Sequence, residues 1–531
     1  MPGSDPCDVA TLREPELDET TTAVAPTGRR PLFARFDPLT AIVGVVSGLV
    51  YVLHGFDGLL SRDLAVYAYA GQQVADGEPP YVGILNRAGP LAHAVPAIGV
   101  GLARAAGFDE LLGMRLVFLA VSVACVCLVF RLARKLFASP LAGLAAAAAF
   151  LSFHGFIEYA SNGPREKTVM VLFLLCTLLA MTDRRWLAAG VGLSLATLTW
   201  QPVFFVGLAA IVVALLAEER GLRLRGLVRF LVGGLIPAAV CLAYFAAVGA
   251  VRELLDGYLL INAEYDTSGP FTSDLGGNWS ALWDGYGVSI VVLLVGLAAL
   301  VALSVPALRR GNRRDPAQVS VAACGVAVLI GVVWTLKDFD GWPDAFVLLP
   351  LAALGIGGLA REVAARLPAR TALAATLAWV AAAVAVAGGY ALTARSHELE
   401  AQRDSVDTVI GALPPDASIL SIEAPQPLVL TGSTNPTRYQ MFGNGLDRYI
   451  DDTWPGGLEG FAAWIGREHP TVIAVGRPEP PDWLSGLLDT RYREVGGATC
   501  WIWYVHRSVG AAVISDLQAS LPAVTGSCPE W

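Results

Sequence analysis

Long apolar runs recur along this chain near residues 38–56, 112–133, 139–158, 166–182, 185–200, 202–217, 228–249, 287–308, 318–336, 344–361 and 371–393. A hydrocarbon core about 30 Å thick asks for roughly 20 apolar residues per helix, and fewer where neighbouring helices shelter an end. With 55% hydrophobic and only 16% charged residues and a mean hydropathy of +0.55, the pattern excludes a soluble globular chain. It predicts a polytopic α-helical membrane protein of about eleven spans.

Charge placement orients those spans. The segments RLARK, TDRR, EERGLRLRGLVR, RRGNRRD and REVAARLPAR fall on alternate connections, on the same side as GRR in the N-terminal tail. Lysine and arginine collect on the cytoplasmic side, so a multi-pass protein of the plasma membrane with a cytoplasmic N-terminus is expected. The apolar stretch PLAHAVPAIGVGLARAAG, residues 90–107, would invert every later loop if it crossed. It carries His93, Pro96 and Arg104 and reads as an amphipathic helix lying in the outer interface.

Three regions follow. Residues 1–37 are polar, with basic Arg29, Arg30 and Arg35 and no signal-peptide core, and read as a cytoplasmic tail without fixed structure. Residues 38–393 form the transmembrane domain. Residues 394–531 are long enough to fold alone, and ASILSIE, TVIAVG and CWIWYVH read as strands of a small extracytoplasmic α/β domain. Of eight cysteines, Cys125, Cys127, Cys176, Cys241 and Cys324 lie in apolar runs, where a thiol is packing. Cys500 and Cys528 lie in the polar tail, as a disulfide or as two free thiols. A net charge of −9, mixed in sign along the chain, points to no nucleic-acid partner.

Ionisable residues are scarce at mid-span, which weakens a carrier reading. The polar segments gather instead on one membrane surface: SRDLAVYAYAGQQ (61–73), GEPPY (77–81), NRAGPL (86–91), EYASNGPREK (158–167) and KDFDGWPD (337–344). A cavity there would hold a carboxylate, cations and aromatic walls. Each residue has a plainer reading beside the chemical one. Asp63 is a helix cap or a base; Arg165 is an interfacial anchor or a phosphate ligand. GEPPY and NRAGPL are turns with or without substrate contact. His154 and Glu158 form an i,i+4 pair, structural or proton-handling. Trp279, Trp283 and Trp342 are an interface belt or sugar platforms. Asp338 and Asp340 are two water-facing acids sooner than a metal site, and no metal is expected.

The order of these elements carries a resemblance. An acid heading a helix after the first span, a GxPPY turn, a Gly-Pro-Leu step into an interfacial helix, an arginine opening the fourth span and a late K-x-F-x-x-x-x-D-x-F-x-L-L-P stretch resemble the GT-C glycosyltransferases. Within them they are most similar to the protein O-mannosyltransferase and lipid A aminoarabinose transferase branch, over roughly residues 38–393. The resemblance implies a polyprenyl-phosphate-linked sugar donor, an outward-facing site, inversion at the anomeric carbon and no cofactor. It implies an extracytoplasmic glycan, lipid or protein as acceptor. Its first-loop acid falls on Asp63, the base; its phosphate ligands fall on Arg165 and Lys167. Arg87 stands beside Ala88, Gly89 and Pro90, which replace a lysine-proline-proline step. The acidic pair of the mannosyltransferases is incomplete, since Leu64 follows Asp63. Tyr67, Tyr81, His93, Glu158, Lys337, Asp340 and Asp344 complete the expected substrate pocket. A lipid-carrier flippase or exporter and a noncatalytic glycan-binding envelope scaffold are the rival classes.

Overall fold

The computed structural model describes residues 37–265, 275–307, 315–476, 479–524 and 528. The basic N-terminal tail and most of the RRGNRRD connection lie outside the described residues.

Every apolar run is helical. The first ten helices are α1 (Pro38–Leu53), α2 (Arg62–Ala75), α3 (Pro90–Ala106), α4 (Glu110–Leu136), α5 (Pro140–Leu151), α6 (His154–Asn162), α7 (Glu166–Thr182), α8 (Trp186–Thr197), α9 (Val203–Leu216) and α10 (Arg220–Ala247). Helices Ser289–Ala307, Pro316–Lys337, Leu349–Ala364 and Ala369–Thr393 follow. Among the described residues, five helices are long and apolar enough to cross a membrane, and six if the bent pair α5 and α6 counts as one. The eleven expected spans are thus helices at all eleven places, but several are short. α1, α8 and α9 are apolar with fewer than 18 residues, a length that crosses only when neighbours shelter an end.

Breaks in these helices place the polar segments. α5 starts with Pro140 at its first position and Ser139 as N-cap, the hydroxyl accepting from the Ala142 N–H at 3.3 Å, as capping demands. The chain then bends by 73° into α6, which delivers Glu158 and Tyr159. α3 is a helix as expected, opened by Gly89 and Pro90 and closed by Gly107 at φ 75°, a left-handed cap that suits glycine. It buries His93, Val100 and Ala103 and exposes Ile98 and Leu102. A Cβ on Gly89 would lie 2.1 Å from the Leu198 carbonyl oxygen, so the backbone of the NRAGPL turn comes close to the end of α8 only because residue 89 is glycine.

A buried cation missed in the sequence ties α4 to the segment ahead of α2. Arg115 is fully buried and donates to the Phe56 and Gly58 carbonyls, the latter at 2.9 Å. Nothing in its neighbourhood along the chain marks it, because its partners are backbone oxygens some 57 residues away.

The C-terminal segment carries a four-stranded sheet in the order β1 (Ile419–Ile422), β2 (Val472–Val475), β4 (Trp501–His506), β3 (Tyr492–Ala498). β1 and β2 are parallel, pairing Ile419 with Val472; β2 with β4 and β4 with β3 are antiparallel. Three strands are the three apolar runs read from the sequence. β3 escapes that reading because Arg493, Glu494, Gly496 and Gly497 interrupt its alternation, as an edge strand with a bulge tolerates. Cys500 and Cys528 are joined by a disulfide. The segment is hydrogen-bonded to the start of the α2 region: Gln402 accepts from the Leu60 N–H at 2.9 Å and donates to the Leu60 and Thr499 carbonyls at 3.1 and 3.0 Å.

Replacing Arg115 by Leu should destabilise the protein by about 3 kcal/mol, since two buried carbonyls lose a charged donor. Thermal unfolding in detergent checks this; an unchanged midpoint contradicts it.

Candidate active site

The first turn of α2 and the first turn of α7 meet in a line of alternating charges. Glu423 pairs with Arg62 at 3.5 Å, Arg62 with Asp63 at 3.7 Å, and Asp63 with Arg165 in a direct hydrogen bond. Arg165 continues to Glu166 at 3.4 Å, Glu166 to Lys167 at 3.8 Å and Lys167 to Asp344 at 2.5 Å. Glu423, Glu166, Asp344, Arg165 and Lys167 expose less than a tenth of their side chains, whereas Asp63 exposes a quarter. Charges this buried persist only when each has an opposite neighbour.

Asp63 is therefore not a cap. Ser61 holds the N-cap position of α2, and Asp63 is the second residue of the helix. Arg165 in turn sits at the N-cap of α7 with an extended backbone, a place where the helix dipole disfavours a cation. Asp63, with Glu166 one residue on, compensates. The Arg165 guanidinium also lies 5.4 Å over the Tyr159 ring, and the Lys167 ammonium 5.4 Å over Trp200.

Asp344 organises the KDFDGWPD segment. One carboxylate oxygen accepts from Lys167; the other accepts from the backbone N–H groups of Asp340 and Gly341 at 2.7 and 3.1 Å. That single side chain fixes the loop that brings Asp338 and Asp340 beside Lys167.

Arg87 is held from three sides. It donates to Asn262 Oδ1 at 3.3 Å and to the Asn444 carbonyl at 2.8 Å, while its own carbonyl accepts from Gln201 and Asn262, each at 3.0 Å. Tyr81 and His93 stand behind this turn. The Tyr81 hydroxyl donates to the Ala88 carbonyl at 2.7 Å, and His93 Nε2 meets Asn86 Oδ1 at 2.9 Å. Because that oxygen also accepts from the Ala88 N–H, the imidazole is the donor. Burial lowers the His93 pKa to about 3, so the ring stays neutral.

A cavity of about 210 Å³ opens onto these groups. Arg62, Asp63, Tyr67, Arg87, Arg165, Glu166, Lys167, Asp338 and Asp340 line it, with Trp200, Gln201 and Asn262. Of the expected pocket residues, Tyr67 and Asp340 face this cavity. Tyr81, His93 and Asp344 support it without lining it, and Lys337 stands apart against Trp334 at 5.1 Å. Glu158 lies in a different cavity. Its partners are His54 at 3.4 Å and the Tyr390 hydroxyl at 3.3 Å, and His154 instead stacks on Tyr390 with ring centres 4.0 Å apart. Trp342 packs inside, parallel to Tyr159 at 5.0 Å, whereas Trp279 and Trp283 are half exposed.

Sequence reading missed Arg62, Glu166 and the contribution of the C-terminal segment, whose Met441, Gly443, Asn444 and Leu446 complete the cavity wall. Arg62 and Glu166 were legible as immediate neighbours of Asp63 and Arg165. Glu423 and Asn444 were not, since they arrive from more than 350 residues away.

The charges set opposite proton affinities on two acids in one cavity. Burial raises the Asp63 carboxyl, but the charges of Arg165 and Arg62, with the Arg165 hydrogen bond and Lys167, outweigh it and hold its pKa below the usual value. Asp340 is raised to about 6 by burial and then by Asp344 and Asp338. Tyr67 is raised well above its ordinary value by burial and by Glu166, so it stays a neutral phenol. Among the described residues no group of three or more His, Cys, Asp and Glu side chains is arranged to hold a metal ion.

Residues 90–246 match the family model of dolichyl-phosphate-mannose-protein mannosyltransferases. In fold the chain is similar to ArnT from Cupriavidus metallidurans in the apo state, with a TM-score of 0.58 at 14% identity, covering 90% of this chain and 98% of that one. It is equally similar to the same protein bound to undecaprenyl phosphate, with a TM-score of 0.57, 15% identity and the same coverage. No curated protein sequence matches the chain. The resemblance read from the sequence stands: this is a chain of GT-C architecture, similar to the mannosyltransferase and ArnT branch.

Asp340 gives a pH signature with a definite sign. Its folded pKa of about 6 exceeds its reference value of 3.8, so its ionisation destabilises the fold as pH rises from about 4 through 6. Asp340→Asn should therefore raise the unfolding midpoint at pH 7.5, with the gain vanishing near pH 4. Asp63→Asn should act oppositely, lowering the midpoint at pH 7.5, because a depressed carboxylate stabilises the fold above its unfolded pKa. Melting curves across that range check both; equal midpoints for Asp340→Asn and the parent at pH 7.5 contradict the first.

Proposed function

We propose that this GT-C chain is an inverting glycosyltransferase that moves a monosaccharide from a polyprenyl-phosphate carrier to an acceptor hydroxyl. The observation that carries the reading is the direct contact of Asp63 with Arg165 at the wall of a cavity that also holds Lys167 and Arg87. A carboxylate within reach of several cations is what displacement of a phosphate by a hydroxyl requires, here Asp63 beside Arg62, Arg87, Arg165 and Lys167.

A polyprenyl-phosphate sugar is a phosphodiester with one negative charge, and the leaving polyprenyl phosphate carries a second. Cations bind the departing group more tightly than the donor, so they stabilise the transition state. Arg165 offers a planar fork suited to phosphate oxygens, whereas Lys167 offers a compact point charge. The acceptor oxygen bonds to the anomeric carbon as the carbon–oxygen bond to phosphate breaks and its electron pair leaves with the phosphate. The acceptor proton passes to Asp63 and then to water. One displacement inverts the centre, and no acid is needed, because phosphate departs as an anion.

The ion pair makes this stepwise. While Arg165 holds Asp63, the carboxylate is a weak base. Donor phosphate competes for the same guanidinium, and as it draws Arg165 away Asp63 gains proton affinity. Base strength then depends on donor binding. Undecaprenyl phosphate in the ArnT structure of the same fold supports a lipid carrier of this class. Loop charges support an extracytoplasmic site, with the N-terminal tail in the cytoplasm and the α/β segment outside.

Asp63→Asn should lower turnover about 100-fold or more, the pattern of a lost base, and should lower donor KM, because the carboxylate that competes for Arg165 is gone. Arg165→Lys should raise donor KM. Release of polyprenyl phosphate by the full chain in lipid nanodiscs, from a panel of polyprenyl-phosphate sugars, measures both. Retained turnover in Asp63→Asn sinks the assignment.

A further inference from the structure

Consecutive residues of one helical turn face two different cavities. Arg62 and Asp63 line the cationic cavity described above, whereas Ser61 and Leu64 line a second one of about 170 Å³. Glu158, Asn162, Asp284 and Tyr390 share its wall, with Tyr159 and Trp342 between them.

The two cavities differ in charge. The first is lined by four cations, Arg62, Arg87, Arg165 and Lys167, set among four acids, Asp63, Glu166, Asp338 and Asp340; among the described residues the second is lined by Glu158 and Asp284 and by no lysine or arginine. An anion is excluded from it, and a ligand rich in hydroxyl or ammonium donors is favoured. Glu158 directs one oxygen to His54 and Tyr390 yet leaves 38% of its side chain exposed.

Independently, Ser61 points to a ligand. Its residue is 7% exposed, and among the described residues its buried Oγ has no hydrogen-bond partner, an arrangement that native proteins avoid unless something else completes it. Leu64, Tyr159, Trp342 and Tyr390 supply apolar wall beside these polar atoms. Alternating hydroxyl-seeking and carbon-seeking surface is what a sugar ring presents in mirror image, with hydroxyls on its rim and C–H groups on its faces.

We propose that this second cavity binds a neutral or amino sugar of the acceptor. It rests on the transfer reading above, in which an acceptor hydroxyl must reach Asp63, here two residues along from Ser61. A glycan acceptor is favoured over a peptide, because two carboxylates and an unpaired hydroxyl offer partners for several donors at once, where a serine or threonine side chain brings one.

The test uses the full chain in nanodiscs and saturation-transfer NMR. The probes are the methyl glycosides of mannose, galactose and glucosamine for the second cavity and farnesyl phosphate for the first. At least one glycoside should bind. Glu158→Gln with Asp284→Asn should weaken it about tenfold, as losing charged hydrogen-bond acceptors does, while farnesyl phosphate binding stays unchanged. If the double variant loses both ligands, Ser61→Ala decides: a weakened glycoside with unchanged farnesyl phosphate upholds the subsite, and unchanged glycoside affinity overturns it. Binding of none of the glycosides, binding indifferent to the double variant, or binding of a serine- and threonine-containing peptide in their place also overturns it. Glycoside binding that behaves as expected beside no farnesyl phosphate binding upholds the subsite and removes the donor reading instead.

Discussion

Everything in the polar centre of this protein depends on the contact between Asp63 and Arg165. It joins the first turn of α2 to the first turn of α7 across about a hundred residues, and it anchors a run of seven charges from Glu423 to Asp344. Remove either member and the row is broken at its centre, leaving Arg165 to Glu166 at 3.4 Å or Asp63 to Arg62 at 3.7 Å. A chain that keeps such a row must hold each member to its partners. The same row is incomplete as catalysis, because a carboxylate held by a guanidinium is a poor base. Donor phosphate resolves that by substituting for one of the two.

The C-terminal segment belongs to this arrangement. Glu423, held at φ 57°, accepts from the Phe442 N–H at 3.0 Å and pairs with Arg62. Asn444 supplies the carbonyl that fixes Arg87, and Gln402 clasps the Leu60 backbone ahead of α2. The cationic cavity therefore has walls from both ends of the chain. Its shape answers to a sheet whose strands lie more than 350 positions beyond Asp63.

Much of this was legible in the sequence, for reasons that separate by range. Helices at all eleven apolar runs, the amphipathic α3 and three of four strands follow from local hydrophobic pattern, which needs no knowledge of partners. Asp63, Arg165, Lys167, Arg87 and Asp340, which line one cavity, stand out in the sequence because each sits at an element end where polar residues have no packing reason to be. The failures are long-range. Helical spacing puts Glu158 beside His154 on α6, but partners from distant segments claim both: Glu158 meets His54 and Tyr390, and His154 stacks on Tyr390. Asp344 was placed in the pocket, yet it reaches backward to hold Lys167 and two backbone N–H groups. Arg115 gave no sign at all, since backbone carbonyls leave no mark in a sequence.

The central claim is that donor phosphate takes Arg165 from Asp63. An electron cryomicroscopy structure of the full chain in nanodiscs with a polyprenyl phosphate tests it most directly. The account predicts phosphate density in the cationic cavity, touched by Arg165 and Lys167, with the Asp63 carboxylate released from the guanidinium and open to the cavity. Phosphate bound elsewhere, with the Asp63–Arg165 contact unbroken, would contradict it.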